Sequence, residues 1–207
     1  MYLIKTPFWL RAIYSNCTWK IPVQEKVIYL SFDDGPDPEA TPFVLTNLKK
    51  YNAKATFFCI GNNVLKHPNI YESILKEGHR VGNHTYDHLN GWKTENNIYI
   101  NNIKDAMNII DSTLFRPPYG RITKSQIKIL KQTDSLPNQI IMWDVLSGDF
   151  DIQIDGEICA RNVINNTVPG SIIVFHDSQK AWDRMSIALP KVLEHFSNLG
   201  YRMELIP

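Results

Sequence analysis

The chain has 207 residues, room for one domain with a sizeable core, and its 43% hydrophobic and 21% charged content is that of a globular protein, not a disordered or fibrous one. Its 22 basic and 21 acidic residues leave a net charge of +1, and the lysines are scattered along several segments, which argues against a nucleic-acid partner. Cys17, Cys59 and Cys159 are odd in number, widely spaced and without a CxxC pair, so they read as buried apolar residues, not as a disulfide framework or thiolate metal site.

Met1 to Tyr14 is apolar in places, but Lys5, Pro7 and Arg11 interrupt any signal-peptide core, and no run of about 20 apolar residues occurs anywhere. The sequence therefore predicts a cytoplasmic protein, with residues 1–24 as an arm packed on a catalytic domain spanning 25–207. Phe8, Trp9 and Leu10 beside Lys5 and Arg11 leave open a peripheral contact with the inner membrane face. Val27 to Phe32 is a β-rich apolar run that ends in Asp33-Asp34-Gly35-Pro36, a strand entering a turn. Thr41-Pro42 opens a helical pattern through Leu48. Ala55 to Ile60 is a second buried strand, Pro68 to Glu77 a helix stopped by Gly78, and Arg80 to His84 a short strand. Asn96 to Asp111 has helical spacing and leads into Phe115-Arg116-Pro117-Pro118-Tyr119-Gly120, where consecutive prolines impose an extended loop. Helix 123–132, strand 139–144, helix 156–165 and strand 171–176 follow. An amphipathic helix over about 185–198, with Pro190 inside it, precedes a last extended stretch, 201–205.

Short apolar strands alternating with helices predict a parallel α/β arrangement, either an open sheet or a barrel. Asp33, His84, Arg116, Asp149 and His176 all fall at or just after strand ends. An irregular (β/α) barrel gathers such residues at one rim, and that is the expected fold. Taken singly, an HxxxH pair (His84, His88), an Asp-Asp turn or a His at a strand end is more often structural than functional. Together and in this order, beside an Arg-Pro-Pro-Tyr loop, they carry weight.

With those motifs in hand, the sequence resembles the polysaccharide deacetylases of carbohydrate esterase family 4, which share the NodB homology domain. The resemblance rests on five segments: Ser31 to Pro36, His84 to His88, Arg116 to Gly120, Trp143 to Phe150 and Ile172 to Asp177. It implies a distorted seven-stranded (β/α)7 barrel and a metal-dependent hydrolase that removes N-acetyl groups from an amino-sugar polymer or oligosaccharide, such as a chitin-like glycan or peptidoglycan. It assigns Asp34, His84 and His88 to a divalent metal, most simply Zn2+, with Co2+ or Ni2+ as alternatives; two histidines and a carboxylate suit catalytic zinc. Asp33 becomes the general base, Arg116 its orienting partner, the Tyr119 backbone N–H an oxyanion donor, and His176 the acid, held charged by Asp149 in preference to Asp144.

Phe150 and Phe175 depart from the family pattern at the substrate pocket and leave the acyl group open. Trp182 is the better candidate for stacking on sugar, and Trp143 is balanced between groove and core. An O-acetyl esterase acting on an acetylated polysaccharide and a silent carbohydrate-binding protein are the competing readings.

Overall fold

The computed structural model describes residues 2–207; Met1, the first residue of the predicted arm, lies outside them. The elements in chain order are α1 (Phe8–Ile13), β1 (Val27–Asp33), α2 (Ala40–Lys50), β2 (Ala55–Cys59), α3 (Gly61–Lys66), α4 (Pro68–Lys76), β3 (Arg80–Asn83), α5 (Asn96–Met107) and β4 (Leu114–Phe115), followed by α6 (Lys124–Gln132), β5 (Gln139–Ile140), β6 (Val145–Leu146), α7 (Gly156–Asn166), β7 (Ile172–His176), α8 (Trp182–Asn198) and β8 (Arg202–Met203). The strands run in the order β5-β4-β3-β2-β1-β7-β6, with β8 joining the start of β1, and every pairing is parallel. Seven parallel strands flanked by helices make the (β/α)7 half-barrel.

The sheet's outermost strands, β5 and β6, are almost consecutive in sequence. A linker this short spans little distance, so the sheet has to curl until its two edges approach. The N-terminal arm occupies the remaining gap. Thr18 N–H donates to Ile140 O at 2.8 Å on the β5 side, while Thr6 N–H donates to Asp144 O and Leu146 N–H to Ile4 O, each at 2.9 Å, on the β6 side. Unpaired edge groups that would otherwise face water or another chain are thereby satisfied.

Alternation along the strands decides what faces the barrel interior. Ile28, Leu30 and Phe32 join Val44, Leu48, Phe57, Phe175 and Leu189 in the core between sheet and helices, whereas Val27 and Tyr29 join Phe58, Leu114, Ile141 and Ile172 in a separate inner cluster. The period of two carries the inner face on to Ser31 and Asp33 in β1, and from Ile172 to Val174 and His176 in β7. Asp33 and His176 are register partners on adjacent strands.

Several boundaries differ from the sequence reading. Stretch 139–144 is not one strand: pairing breaks after Ile140 and resumes at Val145, because Arg116 takes the Ile141 and Met142 carbonyls. Helix α5 ends at Met107 instead of Asp111, and the short helices α1 and α3 escape a periodicity search. Leu114–Phe115, read as part of a loop, pairs as β4. Pro190 lies inside α8 as expected. The three cysteines are buried and unbonded. Among the described residues no helix is long and apolar enough to cross a membrane.

Candidate active site

A cavity of about 440 Å³ opens at the C-terminal ends of the strands, lined by Asp33, Asp34, His84, His88, Tyr119 and His176 together with Tyr2, Trp143, Leu146 and Phe150. Arg116 and Asp149 are fully buried just behind this surface. The eight residues singled out from the sequence therefore converge on one place.

Asp33 ends β1 and points into the interior, where Arg116 Nη1 donates to its Oδ1 at 2.7 Å. The guanidinium also donates to Ser31 Oγ (2.8 Å), Ile141 O (3.2 Å) and Met142 O (3.1 Å) and lies 4.0 Å over the Phe58 ring. Burial alone would disfavour its charge, so this array of acceptors is what makes a buried arginine tolerable. It also leaves Asp33 with one orientation. Ser31 escaped the sequence reading as a functional residue; its place one alternation before Asp33 is the signal that could have found it.

The chain turns sharply after β1. Asp34 has φ 81°, and Thr85, His88 and Tyr119, all at this cavity, are also left-handed, at φ 62°, 58° and 60°. Non-glycine residues pay for that conformation, and such strain tends to collect at functional sites. Gly35 must lack a side chain: a Cβ there would meet the Asp177 carboxylate at 2.1 Å. That buried carboxyl accepts from Gly35 N–H and from Thr41 Oγ, and burial pushes its pKa well above the usual range. It was missed from sequence, where His176 drew the attention.

His84 and His88 belong to a tight loop and not a helical turn, with ring centroids 5.1 Å apart. Asn83 and Asn102 shape the loop: Asn83 Oδ1 accepts from Thr85 N–H at 2.8 Å, and Asn102 Oδ1 accepts from Tyr86 and Asp87 N–H, each at 3.0 Å. His84 Nδ1 lies 2.7 Å from Arg116 O, and a carbonyl only accepts, so Nδ1 carries the proton and Nε2 presents a lone pair. Nε2 of His88 and of His84 lie 3.1 and 3.7 Å from Asp34 Oδ1. Burial lowers the His84 pKa to about 4, which keeps the ring in its neutral, ligating form. Burial would raise the pKa of Asp34, but the His88 hydrogen bond and the neighbouring imidazoles outweigh it and hold the carboxyl below its ordinary range. One donor atom from each of the three residues lies within 4.8 Å of the others. Neutral imidazole, carboxylate and spacing together fit a divalent cation.

On the other side of Asp33, Asp149 grips His176 twice, accepting from its backbone N–H and from Nδ1, both at 2.7 Å. Burial would strip the ring of its proton. The Asp149 charge and hydrogen bond overcome that and raise the His176 pKa to about 10. Asp149 is itself steadied where Arg184 Nε donates to its carbonyl at 2.7 Å. Asp144 is not in this site: it is paired with Lys5, Arg11 and Ser171.

Tyr119 is 60% exposed, with its ring 4.5 Å from that of His88. Phe150 lines the cavity edge-on to His176 and Tyr2, whereas Phe175 turns into the core against Phe32, so Val174 and Leu146 line the wall instead. Trp143 is the tryptophan in the cavity. Trp182, expected there, packs edge-on against Phe43 because it lies on α8, behind the sheet.

The polysaccharide deacetylase family model matches residues 20–135. A peptidoglycan-N-acetylglucosamine deacetylase of Bacillus cereus is 36% identical over 191 residues, covering 89% of this chain and 88% of that protein. A chitooligosaccharide deacetylase of Azorhizobium caulinodans is 31% identical over 166 residues, covering 76% and 77%. The solved structure of the Bc1960 peptidoglycan N-acetylglucosamine deacetylase superposes with a TM-score of 0.87 at 34% identity, covering 98% of this chain and 95% of that one. Motifs, fold and relatives agree, and the chain belongs to the polysaccharide deacetylase family.

Proposed function

We propose that the chain is a metal-dependent N-deacetylase of an amino-sugar glycan, with residues 25–207 as the catalytic unit and the arm as part of its pocket wall. The observation that carries this reading is the convergence of three kinds of group at one rim. A neutral, ligating His–His–Asp cluster, an arginine-clamped carboxylate and a charged histidine all face one cavity.

Amide hydrolysis needs an activated water, a stabilised oxyanion and a proton for the departing amine. Asp34, His84 and His88 would hold the cation, which when bound supplies carbonyl polarisation and an acidified water. Asp33 accepts the proton of the attacking water, and Arg116 keeps its carboxylate aimed at the cavity. The Tyr119 backbone N–H donates to the developing oxyanion. His176 is charged at neutral pH, its Nδ1–H bonded to Asp149, so Nε2–H is the proton available to the leaving nitrogen. An N-linked acetyl needs this last step most, because an amine leaves poorly without a proton. We assign zinc as the first metal to test, since two imidazoles with one carboxylate suit it, ahead of cobalt and nickel.

The test is acetate release by chelated and by zinc-, cobalt- or nickel-reconstituted protein, from N-acetylglucosamine oligomers and from acetylated xylan. Metal-dependent release from the amino sugar is expected to dominate. Release only from xylan would make the enzyme an O-acetyl esterase, and release unaffected by chelation would overturn the metal role.

A further inference from the structure

A second cavity, about 300 Å³, adjoins the catalytic one. Tyr2, Tyr119, Arg121, Trp143 and Leu146 line both, so a glycan lying in the first extends into the second. Its far side is built from the arm, through Thr6, Leu10 and Tyr14, and from Trp92. The volume is at the small end of ligand pockets and matches a single sugar unit, with aromatic and aliphatic faces for the apolar side of a pyranose.

Arg121 stands at the seam. Its guanidinium lies 4.0 Å over the Trp92 ring, and that indole is itself held where Nε1 donates to Ile122 O at 2.9 Å. The side chain is therefore pre-oriented, yet among the described residues its N–H groups meet no hydrogen-bond or ion-pair partner. The nearby carboxylates are already engaged: Asp33 with Arg116, Asp149 with His176 and Asp34 with His88. Arginines with structural work look different. Arg116 and Arg184 spend their donors on protein acceptors, and Arg11 is paired with Asp144. A stacked, planar, unneutralised fork at the junction of two sugar-sized cavities is suited to a carboxylate, which it can hold with two parallel hydrogen bonds.

We propose that Arg121 recognises a carboxylate on the sugar adjacent to the one being deacetylated, so that the preferred substrate class is an acidic amino-sugar glycan and not a neutral one. The proposal rests on the deacetylase reading and deepens it. Lys180, the other cation lining the catalytic cavity without an ion-pair partner among the described residues, serves as its control.

The experiment uses the metal-loaded full chain and three oligosaccharides of equal length. One is a neutral N-acetylglucosamine oligomer. The second bears a lactyl ether carboxylate on alternate sugars, as in a peptidoglycan strand, and the third is the same compound with that carboxyl amidated. Wild-type kcat/KM should favour the acidic compound over its amide by roughly tenfold or more, as charge-assisted pairing implies. Arg121→Gln should bring that ratio close to one, Arg121→Lys should keep part of it, and Lys180→Gln should leave most of it. Equal wild-type rates on acid and amide would overturn the proposal, as would an Arg121→Gln loss shared equally by both. An effect of Lys180→Gln as large as that of Arg121→Gln would also do so. Calorimetric binding of the same acid and amide pair is read alongside. If no compound releases acetate, the deacetylase reading fails, while a binding preference that depends on Arg121, or its absence, still decides the recognition.

Discussion

Asp144 and Asp149 lie in the same short segment, both fully buried, and each has a basic partner, yet they do opposite work. Asp149 faces a histidine that is itself enclosed, through two 2.7 Å hydrogen bonds, and the result is a charged imidazole at the cavity floor. Asp144 is reached from the surface by Lys5 and Arg11, whose side chains keep about a third of their exposure, and the result is an arm sewn to the barrel edge. A buried acid with an enclosed titrating partner tunes a proton; one with half-solvated, permanently charged partners tethers a segment. Floor and wall of the same cavity thus differ in what a lost partner should do.

The largest effects should come from the floor. His84→Ala is expected to abolish both metal binding, measured by metal analysis, and acetate release. Asp33→Asn should retain the metal and lower kcat by roughly 10² to 10⁴, the usual worth of a general base. Equal metal loss in the two variants would erase the separate roles of Asp33 and the ligand cluster.

Asp149→Asn comes next, with a fall of roughly 10 to 10³ in kcat and a change of pH profile. In the parent, the His176 pKa is raised to about 10 from 6.5, so the pair's contribution to stability is full below about pH 6.5 and is lost as pH rises toward 10. Without Asp149 the buried ring should titrate below its ordinary value. The alkaline limb of kcat then moves down in pH, and the loss of stability between pH 6.5 and 10 disappears from denaturation curves. An unmoved limb would show that Asp149 only braces the loop.

Much of the floor was legible because its residues sit at strand ends and in dense local motifs. Val27 to Phe32 is apolar without a break, since both faces of β1 are covered, and its sudden end at Asp33-Asp34-Gly35-Pro36 marks the rim. The wall was not legible in the same way. Tyr2, Ser31, Asn102, Asp177 and Arg121 matter through partners distant in sequence, and no periodicity records such contacts. Trp182 shows the converse: it follows a motif closely in sequence, but the turn into α8 carries it behind the sheet. The choice of Asp149 over Asp144 came from the aromatic residue that follows it. The contacts explain why both aspartates looked plausible, since each is a buried acid with a base to meet.

The wall should respond in stability before it responds in rate. Asp144→Asn removes the charge that Lys5, Arg11 and Ser171 share, and because two of those partners are partly solvated the cost should be about 2 to 3 kcal/mol, below that of a fully buried pair. For a chain of this size that lowers Tm by roughly 4 to 12 °C. Tyr2→Phe is gentler still. It removes only the 2.8 Å bond to Asp151 and keeps the ring against Phe150, so kcat/KM should change by less than about threefold, the range of one modest hydrogen bond. If Asp144→Asn instead lowered kcat as much as Asp149→Asn with Tm unchanged, the arm would be acting on the reacting groups, and the division between tether and proton tuner would fail. If Tyr2→Phe proved the more damaging of the two wall variants, the wall would be held from its N-terminal end, not from Asp144.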